Sequence, residues 1–259
     1  MCGVTLAALR RQLDTLATGG PYRVACLDTG EQPYPVAGRQ YPDRETARDA
    51  VDLATRYRNR LAAYDPRAPT YDLAVEHGRN RGGEPVREAC GRLAGALFDA
   101  LGDCGETDVE RTILDTYLAA ASDTPDPDAL GVALLDTIAG VLDDELPPAR
   151  QQAVVARATD HLPDTTDAAA ALDALRAGSL LSGYAYRSRP EQLDLRLDGY
   201  AFDAADERLP TLPLTVALSR TDRTVAVTDA HRTRSGDWRL SVSLAADAPR
   251  GLARAAVTP

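Results

Sequence analysis

QLDLRLD, residues 192–198, alternates Leu193, Leu195 and Leu197 with Asp194, Arg196 and Asp198. A period of two sends the leucines to one side of an extended strand and the charges to the other. The pattern returns nearby. Leu212, Leu214, Val216 and Leu218 repeat it, Val225 and Val227 follow, and Trp238, Leu240, Val242 and Leu244 close the series. Ser235-Gly236 separates the last two runs as a hairpin turn. Residues 182–259 therefore read as a half-buried antiparallel sheet of four or five strands. The small, polar tail from Ala245 is expected to fray.

Upstream the period is helical. Over 82–181, Val86, Cys90, Leu93, Leu97 and Leu101 form one stripe, and Thr107 with Glu110 forms a capping box before Ile113. Asp126-Pro127 and Pro147-Pro148 open two more helices, and Asp164 or Thr166 opens the last, which stops near Gly178. This segment predicts a five-helix bundle. Residues 1–81 read as a small α-β-β-α-β unit. Its helix carries Leu6, Leu9, Leu13 and Leu16; strands follow at Tyr22–Leu27 and Tyr34–Arg39; Asp43 caps a helix through Ala47, Val51, Ala54, Tyr57 and Leu61; a third strand covers Tyr71–Glu76. The fold class is α+β in three parts.

The chain has 259 residues, with 29 bases against 39 acids and a net charge of -10. Every base is Arg. The three parts carry about +2, -13 and +1, so the bundle holds the excess charge. Asp is short and strongly hydrated, whereas the long Lys stem exposes apolar surface. Molar salt screens the self-repulsion of an acidic chain to within about 3 Å. The pattern points to a halophilic protein; GC-rich codon drift accounts for the missing Lys but less well for the net charge. No apolar run reaches membrane-spanning length and MCGVTLAALRRQLDTLATGG lacks a signal-peptide core, so a cytoplasmic location is expected. Cys2, Cys26, Cys90 and Cys104 show no CxxC spacing and read as free thiols.

Chemistry is sparse. GxGxxG, GxSxG, HExxH and the Walker lysine are absent. Asp123, Asp126 and Asp128 imitate a calcium loop but lack its Gly and closing Glu, and capping explains them better. No metal or cofactor is expected, and no residue is assigned a catalytic role. His77, His161 and His231 fall in different parts, and a Cys26–His77 pair is conceivable on one sheet. Six tyrosines lie between Tyr22 and Tyr71, interleaved with Arg56, Arg58, Arg60 and Arg67. Tyr41, Arg56, Tyr57 and Arg60 are the candidate contacts for nucleic acid or a ligand, since aromatics stack on bases and Arg meets phosphate. Plain packing of Tyr57 and Tyr64, with Arg56 and Arg60 paired to acids such as Asp52, explains the same residues and is favoured, because high salt weakens nucleic-acid binding.

The segments PYRVACLDTGEQPYPVAGRQYPDRETARDAVDLATRYRNRLAAYDPRAPTYDLAVEH, TDVERTILDTYLAAASD and DPDALGVALLDTIAGVLDDELPPARQQAVV resemble a family of uncharacterised proteins of extremely halophilic archaea, the group of the bacterio-opsin-linked product. The resemblance covers about the first 160 residues. That name implies gene neighbourhood only, and the resemblance supplies no site residues. The expected function is a non-enzymatic interaction or regulatory protein that meets a protein partner through the acidic bundle, where Asp143-Asp144-Glu145 is the densest acid cluster. The alternatives are a nucleic-acid-binding regulator using the Tyr/Arg unit, and a small-metabolite enzyme with His77 or a Cys as base. Self-association through Leu6, Leu9, Leu13 and Leu16 is a further expectation, although two heptads make a short seam.

Overall fold

The computed structural model describes residues 5–64, 69–77, 85–121, 126–219, 225–245 and 248–258. The chain is mixed α+β. In order, the elements are α1 (Leu6–Leu16), β1 (Tyr22–Cys26), α2 (Arg44–Tyr64), β2 (Leu73–His77), α3 (Val86–Cys104), α4 (Thr107–Ala121), α5 (Pro127–Glu145), α6 (Pro148–Asp160) and α7 (Ala168–Ala177). Then come β3 (Gly183–Arg189), β4 (Gln192–Asp198), β5 (Arg208–Pro210), α8 (Leu212–Ser219), β6 (Ala226–Arg232), β7 (Trp238–Ser243) and β8 (Arg254–Ala256).

Capping side chains set several helix starts. Thr5 accepts the Ala8 N–H, Asp43 the Thr46 N–H and Asp126 the Asp128 N–H, each relieving an orphan donor of a first turn. The cap of α7 is Asp167, one residue beyond the expected Thr166. Of the imitation calcium loop, Asp128 accepts the Arg87 N–H, and Asp123 lies outside the described residues.

Six strands form one antiparallel sheet in the order β1-β2-β3-β4-β7-β6. The sheet therefore runs through the N-terminal unit and the C-terminal strands without a break. The helices line one face, against Val24, Val75, Leu193, Leu195 and Leu240. Both edges are closed by the chain itself. Tyr22 bridges to Tyr41 and the Cys26 N–H donates to Glu31; at the far edge the Val227 N–H donates to Arg250 and the Thr258 N–H to Ala230. A covered edge cannot recruit a foreign strand.

Five sequence expectations are corrected. Tyr34–Arg39 forms turns rather than a strand; Pro33 and Pro35 each remove a backbone donor that a ladder needs. Leu212–Ser219 is a helix, and each of Leu212 to Leu218 is buried. An element enclosed on all sides has no polar face to reveal its period. The helix packs against α6 and α7, so the expected five-helix bundle is instead part of a helical layer completed by α8. Residues 248–258 of the C-terminal tail are built into the fold: β8 pairs with β5, Leu252 and Ala253 are buried, and Arg254 crosses Gly140 to reach Asp136 at 2.6 Å. Finally, β4 is not half-buried. Asp194, Arg196 and Asp198 are buried, as are the leucines they alternate with.

The Thr215 hydroxyl of α8 donates to the carbonyls of Leu212 and Leu252, at 3.1 and 2.7 Å. Thr215→Val removes one of the ties between α8 and the tail, leaving the bond from the Leu212 N–H to the Ala253 carbonyl. The expected cost is about 1 kcal/mol, read as a lower urea midpoint at unchanged slope.

Candidate functional site

Register places Tyr22 opposite His77 and His77 opposite Tyr184, so three rings from β1, β2 and β3 lie in one row on the helix-covered face. Tyr22 stacks on His77 at 4.4 Å between centroids, and Tyr184 meets His77 edge-on at 6.0 Å. Tyr186 stands one pair further along β3, opposite Val75. Two elements close over the row. From α2, Arg44 and Arg48 stand one turn apart. The Arg44 guanidinium lies 5.5 Å from the Tyr22 and Tyr186 ring centres and donates to the Tyr184 hydroxyl, while Arg48 donates to the Tyr186 hydroxyl at 2.6 Å. From α7, Asp173 accepts from Tyr184 at 2.7 Å and sits 2.9 Å from His77 Nδ1, with Arg44 and Arg176 each at 3.4 Å.

Burial alone pushes the Asp173 carboxyl up. The hydrogen bonds from His77 and Tyr184, with the charges of His77 and Arg44, outweigh it and hold the group at about 2. The phenol of Tyr184 moves far above its usual value, chiefly through burial. A carboxylate kept ionised beside His77 Nδ1 fixes the ring orientation and favours the tautomer with its proton on Nδ1. The arrangement can therefore orient an imidazole. A cleft of about 210 Å³ lies alongside, bounded by Arg48, Thr166, Tyr186, Ser188 and Leu244; His77 and Asp173 do not line it.

A second cluster occupies the opposite face of the same strands. Arg196 is 2% exposed. Its guanidinium donates to Asp198 at 2.7 Å, to Glu76 at 2.9 Å and to the Cys26 carbonyl at 2.7 Å. The loop after β1 covers it. Gly30 has a φ of +70°, and a Cβ there would come within 3.0 Å of the guanidinium, so the close approach requires glycine. Further along, Arg239 bridges Asp28 and Asp72, and Arg187 pairs with Asp72.

The sequence candidates do not meet at either cluster. Tyr41 is fully buried in the core under α2, its phenol pushed up to about 12 by burial. Tyr57 is buried edge-on to Tyr34. Arg56 is exposed above a shallow groove shared with Asp49 and Asp52, and Arg60 is half-buried on α2. Arg67 and Cys2 lie outside the described residues. Cys26 pairs with Leu73, at the end of the ladder away from His77, so those two side chains do not form a catalytic pair. His161 faces Asp103 and Asp99, and His231 faces Asp229. Leu9 and Leu13 are buried inside the protomer, with Leu13 packed against Ala47, Ala50 and Ala54 of α2. Of the acid cluster, Asp143 is engaged by Arg208, while Asp144 and Glu145 are exposed. Among the described residues no group of three or more His, Cys, Asp or Glu is disposed to hold a metal, and no helix is long and apolar enough to cross a membrane.

Both clusters straddle one boundary. Residues 86–258 match the family described as a domain of unknown function, DUF7551. The chain belongs to the DUF7551 family. Residues 5–79 match a second domain of unknown function, DUF7552. No curated protein and no solved structure matches the chain. Tyr22, Arg44, Arg48 and His77 come from the DUF7552 segment, and Asp173, Tyr184 and Tyr186 from the DUF7551 segment. On the other face, Glu76, Asp72 and the Cys26 carbonyl come from the first, and Arg196, Arg187 and Arg239 from the second. Among the described residues the strands that join them, β2 and β3, share three residue pairs, Val75–Tyr186, Glu76–Ala185 and His77–Tyr184. The seam between the two family segments is thus a short ladder clamped from both faces by arginine, acid and tyrosine.

His77 was legible as a candidate base. Its partner was not: Asp173 stands three residues before Arg176 and reads as an ordinary helix-surface pair. The available signal was Tyr184 and Tyr186 at period two, two aromatics on one side of a strand that needed a cover.

Proposed function

We propose that this DUF7551 protein is a non-enzymatic interaction or regulatory protein of a strongly saline cytoplasm, related to the halophilic archaeal family it resembles and through it to the bacterio-opsin gene neighbourhood. Its two family segments act as one body, and the acidic helical layer is the docking surface. The use made of His77 supports this most. The residue types suited to acid–base chemistry, His77, Asp173 and Tyr184, are engaged with one another and with Arg44 at a buried seam. They hold two parts together. The exposed acids of the helical layer, among them Asp115 and Asp144, remain available to a partner.

Photo-crosslinking groups placed at Asp115 and Asp144, in cells kept in molar salt, are expected to give one discrete adduct. The same group on the outer turn of the sheet, at Ser235, is expected to give none. No adduct from either helical position would remove the docking reading.

Salt tests the habitat. Net repulsion among the acids weakens as salt rises, while the seam pairs, being largely buried, are screened less. The melting temperature is expected to rise steadily between millimolar and molar KCl. An unchanged melting curve would count against a saline habitat.

A small-metabolite enzyme is the second reading, favoured by the 2.9 Å contact between His77 Nδ1 and Asp173. It predicts that His77→Gln, folded to near wild-type stability, abolishes a metabolite conversion in cells. A folded His77→Gln protein with an unchanged metabolite profile would end that reading.

A further inference from the structure

Each family segment carries its own core. Leu13, Val24, Tyr41, Ala50 and Val75 pack together within residues 5–79, and the larger cluster around Leu97, Ile138, Leu172, Leu195, Leu214 and Leu240 lies within residues 86–258. The apolar cluster that crosses the boundary is small, Leu27 and Ala74 against Ala185. Most of what joins the segments is polar, and an interface of that kind resembles the contact between two separate proteins more than the interior of one. Its charges are arranged for recognition. On the Arg196 face, the DUF7551 segment supplies the cations, Arg187, Arg196 and Arg239, and the DUF7552 segment the acids, Asp72 and Glu76. On the His77 face the signs reverse: Asp173 is the acid and Arg44 the cation, with His77 beside them. A strand presented with its faces exchanged would set like charge against like, and a slip of one residue would do the same. Main-chain pairing of β2 along β3 is the geometry of strand addition, in which side chains choose the strand. The charge pattern therefore selects one occupant, a β2 strand carrying Asp72, Glu76 and His77 with Arg44 donating to Tyr184. We propose that the β3 edge of the DUF7551 segment is a recognition site for DUF7552 modules, and that a module on a separate polypeptide docks there by the same ladder and ion pairs. In this chain the connection through residues 80–85 keeps the site filled by raising the module's local concentration. This site is separate from the acidic docking layer, and either can exist without the other.

The test starts from the full chain with a site-specific protease sequence inserted between residues 79 and 86. Two preparations are cut in molar KCl and mixed. One carries an affinity tag on its DUF7551 segment; the other is untagged and isotopically heavy. The tagged segment is recovered, and mass spectrometry reads the fraction of heavy DUF7552 segment bound to it. Heavy segment is expected to replace light until the bound fraction equals the mixing ratio. Asp72→Asn removes the acid that faces Arg187 and Arg239 and is expected to speed the exchange about tenfold. Asp14→Asn breaks an ion pair with Arg39 inside the module and is expected to leave the rate unchanged. Mixed without cutting, the tagged protein is expected to retain no heavy chain. Segments that unfold or precipitate once cut would overturn the proposal, as would segments that fail to exchange over several days in wild type and Asp72→Asn alike. Equal exchange rates in those two proteins would also overturn it. So would heavy chain retained without cutting, which places the contact elsewhere. Should Asp72→Asn fail to fold, exchange in the wild-type protein decides alone.

Discussion

Arg196→Met is expected to lower folding stability by about 3–5 kcal/mol, the cost of breaking a buried ion network by removing one member. The guanidinium is 2% exposed and sits between Asp198, Glu76 and the Cys26 carbonyl, under the loop at Gly30. Methionine fills much of the volume but donates nothing, so two enclosed carboxylates and a carbonyl lose their partner together. Lysine would not repair this, because one ammonium cannot reproduce a planar fork aimed at three acceptors. Urea unfolding at constant KCl reads the loss as a lower midpoint. A control separates charge from packing. Arg196→Met combined with Glu76→Gln and Asp198→Asn removes the stranded charges, and much of the stability is expected to return, since a wholly uncharged replacement of a buried network is often near neutral. A triple variant as weak as the single one would mean that the arginine stem, not its charge, holds the loop. The pH dependence has a definite sign. Burial already pushes the Glu76 carboxyl up, Arg196 draws it down and Asp198 raises it again. Without Arg196 only the smaller downward pulls of Arg23 and Gln32 oppose burial and Asp198, so the carboxyl rises further; a carboxyl raised above its unfolded value favours folding at low pH and opposes it as pH rises through that value. The deficit of Arg196→Met should therefore shrink as pH falls from about 7 toward 5.

What was legible in the sequence, and what was not, follows from the range of each signal. Helix starts are announced by neighbours, and Asp43 and Asp126-Pro127 lie where the chain turns helical. Strand β4 was plain from its alternation, yet the same alternation misplaced its charges. A polar residue every second position reads as solvent-facing, and only the loop around Gly30, more than 160 residues upstream, turns that face inward. Leu212–Ser219 failed for the opposite reason: enclosed on every side, it carries no contrast from which to choose a period. The seam is long-range as well. His77 and Asp173 are 96 residues apart, and neither strand nor helix carries a local mark of the other. Tyr41 shows how one residue type serves two readings. Its place in a run of tyrosines interleaved with arginines makes it resemble a contact residue, but it is sealed in the core. Local chemistry marks where an element begins; it does not say which face another part of the chain will cover.

Asp173→Ala is the second large effect, with an expected loss of about 2–3 kcal/mol, appropriate for removing the charged acceptor of several donors. His77 and Tyr184 lose their shared oxygen, and Arg44 and Arg176 each lose a carboxylate at 3.4 Å. Asp173→Asn retains an acceptor and should cost less. Part of the loss appears in wild type as acid sensitivity. The carboxyl lies at about 2 in the folded chain against an ordinary value of 3.8, so it stabilises fully above about pH 4 and the contribution disappears as pH falls toward 2. With one third of the side chain open to water, that share is about 1–2 kcal/mol after solvent screening. Asp173→Ala should lack this part of the acid response, which a stability titration from pH 5 to pH 2 can measure. Location provides the sharper test. Among the described residues the sheet joins the family segments through three residue pairs of β2 and β3, so weakening the clamp should open that ladder before the interior of the sheet. Amide exchange is expected to quicken at Val75–His77 and Tyr184–Tyr186 while Leu195 and Leu240, between inner strands, keep their protection. Uniform acceleration across all six strands would instead show that the two segments unfold as a single cooperative unit, with Asp173 contributing to global stability rather than to the seam.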